Sequence, residues 1–216
     1  MAAPPPPTRP PVPNARFAQI ASDAQIATAK KRLEANGFRV IVARSSDEAR
    51  KAFHDVVPEG AEVFAATSPT LESLGITDEV ETSGRYRSVR TRLAEVAKSG
   101  DRVELRRLGQ SPDWIAGSVH AITEDGEALI ASRTGSQLGP YAYGAGNVLW
   151  IVGAQKIVPT LTDGLQRIRD YAFPLEDARA LQAYGVHSGV SKLLVVAGEI
   201  QAGRITIVLV HAEVGF

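Results

Sequence analysis

The chain has 216 residues, and its 24 basic side chains balance its 24 acidic ones. This balance argues against nucleic acid or an anionic membrane surface as a partner, so any anionic ligand must be met by local groups. The sequence has no cysteine, which excludes disulfides, zinc thiolates and an iron–sulfur cluster in this chain, and its four histidines lack the spacing of a zinc-protease pair, so we expect no metal site.

The N-terminal segment MAAPPPPTRPPVP contains seven prolines in thirteen residues. Proline forbids helix and sheet ladders, so the composition predicts a disordered tail over residues 1–15 and a single domain over residues 16–216, with an SH3-domain ligand as the alternative for the tail. The segment lacks the apolar core of a signal peptide, and no run of about 18 apolar residues follows. We expect no membrane span and a cytoplasmic location.

The first half of the chain alternates predicted helices and strands. Capping boxes at Ser22 and Ser45 each begin a helix, and apolar runs at residues 38–43 and 61–67 each predict a strand. This order is typical of an α/β sheet with parallel strands. Ser68 then precedes a proline, a pattern that begins a helix just beyond a strand end, where open α/β sheets bind ligands.

Residues 84–109 have apolar side chains at helical spacing with arginines between them, which favours a solvated helix face over a phosphate-binding one. Further along, Asp125-Gly126 joins two apolar segments and predicts a hairpin, in which His120 is interpreted as a half-buried residue and not as a base.

The second half supplies more strands and two helices. A buried strand is predicted at residues 147–154, helices at 161–172 and 175–184 divided by Pro174, and an antiparallel pair at the end of the chain with a turn at Ala202-Gly203. Together these elements predict an α/β fold with a mixed sheet and helices on both faces.

The segment ASRTGSQLGPYAYGAGN, residues 131–147, is long for a loop and contains four glycines. Glycine lets a backbone approach a ligand closely, and Arg133, Thr134, Ser136 and Gln137 supply donors suited to a carboxylate or phosphate. The segment matches neither a Walker loop nor a Rossmann fingerprint. It is interpreted as an anion-binding loop, with a mobile or packing loop as the alternative.

Two further side chains are candidates for chemistry. Lys156 follows the buried strand, where it could reach an anion or activate a carbonyl; the alternative is a solvated strand end. Glu124 lies at the hairpin and is a candidate acid or base, although a turn position would expose it.

Three segments resemble the LUD domain, the family of lactate-utilisation proteins B and C. They are residues 113–158, residues 67–76 (TSPTLESLGI) and residues 203–216 (GRITIVLVHAEVGF), and the resemblance covers about residues 20–216. It implies a fold similar to the superfamily of sugar-phosphate isomerases, glucosamine-6-phosphate deaminase and CoA transferases. It also implies participation in the oxidation of L-lactate to pyruvate. Since the chain has no cysteine, it resembles the cluster-free C-type member or a stand-alone relative, and electron transfer would belong to iron–sulfur partner proteins.

The resemblance also implies which residues form the site. The matched ligand-binding positions are Thr67, Ser68, Arg133, Thr134, Gly135, Ser136, Gln137 and Lys156, with Gln155 beside the last of them. CoA transferases of the superfamily use a glutamate nucleophile, for which Glu124 is the nearest candidate. The segment RTGSQ lacks the acidic residue associated with C-type members.

Three functions remain open from the sequence. The first is a component of lactate oxidation that binds a small anionic metabolite. The second is an enzyme of the sugar-phosphate isomerase or CoA-transferase type, and the third is a non-catalytic scaffold in an iron–sulfur complex. The sequence identifies no cofactor and does not decide whether the isolated chain is an enzyme.

Overall fold

The computed structural model describes residues 12–216, so the first eleven residues of the predicted tail lie outside the described part. Asn14 lies within that tail, yet its backbone N–H donates to the carbonyl of Asp170 at 2.8 Å. Its side chain also caps a short 3-10 helix at Ala15–Ala18. The packed part of the chain therefore begins before residue 16.

Within residues 12–216 the chain forms ten strands and eight α-helices. The strands are β1 Arg39–Ala43, β2 Glu62–Ala65, β3 Arg87–Ser88, β4 Trp114–Gly117, β5 Ala121–Thr123, β6 Ala128–Ser132, β7 Asn147–Gly153, β8 Ile157–Val158, β9 Lys192–Val196 and β10 Ile205–Val210. The helices are α1 Asp23–Ala35, α2 Ser46–Val56, α3 Pro69–Ser73, α4 Ile76–Thr82, α5 Val89–Ser99, α6 Arg102–Gln110, α7 Leu161–Arg167 and α8 Phe173–Tyr184.

The strands form two sheets. The main sheet has six parallel strands in the order β1-β10-β7-β4-β2-β3. The second sheet has the order β8-β5-β6-β9 and contains the antiparallel pairs, including the β5–β6 hairpin that Asp125-Gly126 predicted. The predicted α/β fold with helices on both faces is confirmed, with parallel and antiparallel pairs divided between two sheets.

The predicted antiparallel pair at the end of the chain is wrong. β9 pairs with β6 in the second sheet, whereas β10 lies between β1 and β7 in the main sheet. All six residues of β10 are buried, which is typical of a central parallel strand, while β9 exposes Leu193 and Val195 as an edge strand. β9 and β10 look alike in the sequence as apolar runs, and they differ in that β10 is buried on both faces of its sheet.

Helices cover both faces of the main sheet. On one face, Leu33 of α1 and Ile130 of the second sheet pack with Trp150 in one buried cluster. On the other face, Phe53 of α2 and Leu71 of α3 belong to a second cluster. The second sheet thus takes the place of a helical layer on part of one face, and its junction with the main sheet leaves room for a cleft.

Between Val12 and Phe216 the chain has two π-helical turns. One lies at Pro140–Gly144, and the other, Ile168–Ala172, joins α7 directly to α8. The predicted break at Pro174 is wrong, because this proline lies in the first turn of α8 and the helical path continues through it. The carbonyl of Asp170, four residues before the proline, accepts the backbone N–H of Asn14 instead. Turns of the π-helical type are frequent at functional sites.

Close packing explains three of the four glycines in residues 131–147. A Cβ on Gly144 would lie 1.9 Å from the carbonyl oxygen of Gln110, and one on Gly139 would lie 2.1 Å from its side-chain oxygen. A Cβ on Gly146 would lie 3.0 Å from the carbonyl oxygen of Asp113. The absence of a side chain at these positions therefore lets the segment pack against the end of α6 and the residues after it.

The same segment is held from its other side by Arg204. This buried guanidinium donates to the carbonyl oxygens of Tyr141, Ala142 and Ala145 at 2.8 to 3.1 Å. Its Nε donates to the carboxylate of Glu199 at 2.6 Å. The long glycine-rich segment is accordingly a packed element of the fold.

Gly144→Ala is expected to lower the free energy of unfolding by about 1–3 kcal/mol, because the new methyl group meets a backbone oxygen that cannot rotate away. Urea denaturation measures this loss. Gly109→Ala is the matched control: Gly109 lies in α6, its added Cβ would meet nothing closer than 3.9 Å, and alanine is a better helix former by about 0.5–1 kcal/mol. Equal effects of the two substitutions would contradict the packing explanation.

Candidate functional site

A cleft of about 320 Å³ opens where the main sheet meets the second sheet. Its lining includes the residues that follow the carboxyl ends of β2, β4 and β6, together with one side of α8. Parallel sheets commonly bind ligands at this end of their strands, because loops from neighbouring strands converge there. The cleft is therefore the candidate site.

Lys156 lies at the base of the cleft. It ends a short 3-10 turn after β7 and is only 1% exposed. Its Nζ donates to the hydroxyl oxygens of Thr70 at 3.0 Å and Ser118 at 3.1 Å. Among residues 12–216, no carboxylate pairs with this amine. Burial, with a smaller contribution from Arg167, lowers the pKa of Lys156 well below its ordinary value.

Arg167, the last residue of α7, is a second buried cation near this lysine. Its Nε donates to the backbone oxygen of Gln155 at 3.3 Å, and its Nη1 donates to the backbone oxygen of His120. Burial lowers the pKa of Arg167 to about 10, so it stays charged at neutral pH. This fixed charge disfavours a proton on Lys156.

His120 presents a neutral imidazole to the cleft. Its Nδ1 accepts a hydrogen bond from the backbone N–H of Ala131 at 3.2 Å, which places the ring hydrogen on Nε2. Burial, then the nearby Lys156 and Arg167, lowers the pKa of His120 to about 3. The ring therefore offers an uncharged N–H donor to a bound ligand at neutral pH.

Three arginines also line the cleft, and two of them are already paired. Arg179 binds the carboxylate of Glu176 through two hydrogen bonds of 2.8 and 2.9 Å. Arg90 pairs with an acid of α4 and donates to a backbone oxygen at the end of β2. Arg133 is exposed and has no acidic partner in the part of the chain that the structure describes. Arg133 and Lys156 are thus the basic side chains of the cleft that have no acidic partner there.

Asp177 of α8 holds the far wall of the cleft in place. This buried carboxylate lies 2.9 Å from Nδ1 of His187 and accepts the backbone N–H of Ser188 at 2.8 Å. Ser188, Gly189 and Val190 line the cleft immediately after it. Asp177 therefore fixes the position of these three residues, none of which has a charged side chain.

The structure brings together most of the residues that the sequence proposed as ligand-binding. Those that line the cleft are Thr67, Ser68, Arg133, Thr134, Ser136, Gln137 and Lys156. Their contact with a ligand remains a prediction. The helix after Ser68 has only five residues, so its dipole contributes little and this position supplies polar groups instead.

Gly135 is the remaining residue that the sequence proposed as ligand-binding, and its contact with a ligand also stays a prediction. It lies outside the cleft lining, and its N–H donates to the hydroxyl of Ser132 at 2.8 Å. Its φ of +87° requires the left-handed region that glycine adopts readily. Nearby, the side-chain oxygen of Gln137 accepts hydrogen bonds from Ser132 and Ser136, so its amide nitrogen is the group that can face a ligand.

Glu124 lies away from the cleft. Its side-chain oxygen accepts a hydrogen bond from Gln25 at 3.2 Å, and its backbone N–H donates to Val158. The proposed nucleophile is therefore not brought to the other site residues. Gln155 is also used structurally, because its amide nitrogen donates to the backbone oxygens of Val214 and Gly215.

Several residues of the site were missed by the sequence analysis. Thr70 and Ser118 are ordinary hydroxyl residues in the sequence, and Arg167 is one of several arginines on predicted helices. His120 was assigned to a hairpin strand, whereas it lies between β4 and β5 where the chain changes sheets. The sequence signal that could have identified His120 as a site residue was its position shortly after a buried strand of the main sheet.

Comparison with known proteins agrees with this architecture. The sequence model of the LUD domain matches residues 26–210. A crystal structure of a DUF162 family protein from Deinococcus radiodurans is 11% identical and has a TM-score of 0.54, and the match covers 89% of this chain and 99% of that one. At this identity the likeness concerns the fold alone. No curated protein matches the chain.

Between Val12 and Phe216, no helix combines the length and the apolar character that a membrane crossing requires.

The burial of Lys156 should make stability depend on pH. Because its pKa is lower in the folded chain than in the unfolded one, the unfolded state binds more protons between the two values, and stability rises with pH through that window. Lys156→Met removes this dependence. The advantage in stability of the variant over the native chain should therefore be larger at about pH 7 than at about pH 10.

Urea denaturation across this range measures the difference between the two proteins. Lys31→Met is the control, since Lys31 is exposed on α1. A stability difference between Lys156→Met and the native chain that does not change with pH would show that Lys156 carries no such proton linkage.

Proposed function

The chain belongs to the LUD domain family, which is associated with lactate utilisation in general, and we propose that it serves this process by binding a small carboxylate in its cleft. The observation that carries the proposal is a pair of cleft side chains, the Arg133 guanidinium and the Lys156 amine, that have no acidic partner among residues 12–216. A bound anion would supply the missing counter-charge of Arg133.

The two side chains suit different parts of the task. Arg133 is exposed at the rim, where a guanidinium can capture a carboxylate through two parallel hydrogen bonds. Lys156 is buried, and because burial lowers its pKa well below the ordinary value, it serves as a neutral amine at the base of the cleft. Arg133 therefore supplies the charge that attracts the anion, and Lys156 supplies a polar group beside it.

The size and the neutral donors of the cleft narrow the ligand class. A volume of about 320 Å³ is at the small end of ligand sites. His120 offers an N–H donor, and the side-chain nitrogen of Gln137 is free of the bonds that occupy its oxygen. These groups suit the hydroxyl or keto oxygen beside a carboxylate, so we propose a 2-hydroxy or 2-oxo acid such as lactate or pyruvate.

Oxidation of lactate removes two electrons, and the chain has no cysteine with which to hold an iron–sulfur cluster. We therefore assign substrate binding to this chain and electron transfer to a partner protein. The CoA-transferase alternative gains no support from Glu124, which lies away from the cleft, or from Glu176, whose carboxylate is held by Arg179. A scaffold without a metabolite remains the outcome that a binding experiment must separate.

Arg133→Ala should weaken lactate or pyruvate binding by roughly 10- to 100-fold, because a charged hydrogen-bonding partner of the carboxylate contributes about 1.5–3 kcal/mol. Titration calorimetry of the purified chain measures the dissociation constant, and a thermal-shift panel extends the test to sugar phosphates and CoA esters. A ligand at about 100 times its dissociation constant adds roughly 2.7 kcal/mol to stability.

Arg102→Ala is the control for loss of one exposed positive charge, because Arg102 begins α6 and does not line the cleft. Unchanged affinity for every ligand in Arg133→Ala would show that the assigned site is wrong. Absence of any metabolite binding by the native chain would support the scaffold function instead.

A further inference from the structure

We propose that Lys156 is a nucleophile that forms a Schiff base with the carbonyl carbon of a 2-oxo acid held in the cleft. This inference rests on the proposed function, because it requires that such an acid binds there. It adds a covalent step to that function.

The surroundings of Lys156 distinguish it from the other lysines. The chain has six lysines, and the other five lie at exposed or half-exposed positions. Lys156 is buried at the base of a cleft, and its two hydrogen-bond partners are uncharged hydroxyl oxygens. A lysine that serves only to neutralise an acid would have a carboxylate beside it, and none pairs with Lys156 in residues 12–216.

The hydrogen bonds around Nζ fit an amine better than an ammonium ion. A neutral amine has two N–H donors and one lone pair, and the two donors are accepted by Thr70 and Ser118. The hydroxyl of Thr70 is itself directed to the backbone oxygen of Val214 at 3.2 Å, so it accepts from the lysine. A third N–H would have no acceptor among the described residues. The lone pair is therefore the part of the amine that has no hydrogen-bond partner among the described residues.

The charged groups near Lys156 also favour its neutral amine form. Burial and the guanidinium of Arg167 both act against a proton on Nζ, which lowers its pKa well below the ordinary value. Desolvation next to a cation is a recognised way to make a lysine nucleophilic at neutral pH. The neutral imidazole of His120 adds no opposing negative charge.

The chemical step balances with the groups present. The Nζ lone pair forms a bond to the carbonyl carbon, and the π electrons of the C=O bond move to oxygen, which receives a proton from Nζ through the hydroxyl of Ser118. The carbinolamine then loses this oxygen as water after it takes up one proton from solvent, and a protonated C=N bond remains. The N–H of His120 can donate to the departing oxygen, while Arg133 holds the carboxylate.

Reductive trapping tests the proposal directly. The full chain is incubated with pyruvate and treated with sodium borohydride, which reduces a C=N bond to a stable secondary amine. We expect one reduced pyruvyl group per chain, and peptide mapping of the native protein should place it on Lys156. Lactate has a hydroxyl group where pyruvate has its ketone, so it cannot condense with an amine. It should give no adduct under the same conditions.

Two variants supply matched controls. Lys156→Arg keeps N–H donors at the base of the cleft and removes the nucleophile, so the adduct should be lost. Lys192→Arg changes an exposed lysine next to Gly135 that does not line the cleft, and its adduct yield should equal that of the native chain. Mapping on the native protein keeps the test decisive even where Lys156→Arg does not fold.

A second readout separates failure of this inference from failure of the proposed function. Titration calorimetry with pyruvate, without borohydride, measures binding by itself. Binding with no adduct, or an adduct spread over surface lysines, would overturn the Schiff base and leave the proposed function standing. Absence of pyruvate and lactate binding would overturn both. A single adduct on Lys156 would establish the inference.

Discussion

The burial of an amine without a carboxylate partner is the constraint around which this structure is organised. Lys156 is held by Thr70 from α3 and by Ser118 after β4, and it follows β7, so neighbouring parts of the main sheet converge on one nitrogen atom. Arg167 adds a second buried positive charge nearby. Burying an amine and a guanidinium without acids lowers stability, and groups perturbed in this way cluster at functional sites.

The rest of the fold keeps this cleft rigid. Arg204 fixes the segment after β6 through three backbone oxygens, and its glycines let the segment pack against the end of α6. On the opposite wall, Asp177 fixes the residues after α8. Two acids therefore stabilise the walls of the cleft. Glu199 pairs with Arg204, and Asp177 binds His187 and the backbone N–H of Ser188. Of the three arginines that line the cleft, Arg133 is left without an acidic partner among residues 12–216.

Sequence patterns predicted the elements of the fold well wherever the determining interaction is local. The capping box at Ser22 and the proline after Ser68 mark helix starts because their hydrogen bonds and dihedral angles involve residues within a single turn. The hairpin at Asp125-Gly126 was predicted for the same reason, since Gly126 supplies the positive φ of the turn. The pairing of β9 and β10 was not predictable in this way, because strand partners depend on burial across the whole molecule.

The candidate site shows the same division. The sequence by itself determined that the chain holds no cysteine-based redox group, that it is an α/β protein, and that Thr67, Arg133 and Lys156 follow strands, because composition and local periodicity decide these properties. Only the tertiary structure decided that Glu124 lies away from the cleft, that Thr70 and Ser118 meet at Lys156, and that the neighbouring acids are already paired. The physical reason is that the charge state and reactivity of a side chain depend on its burial and on partners distant in sequence, which no local pattern encodes.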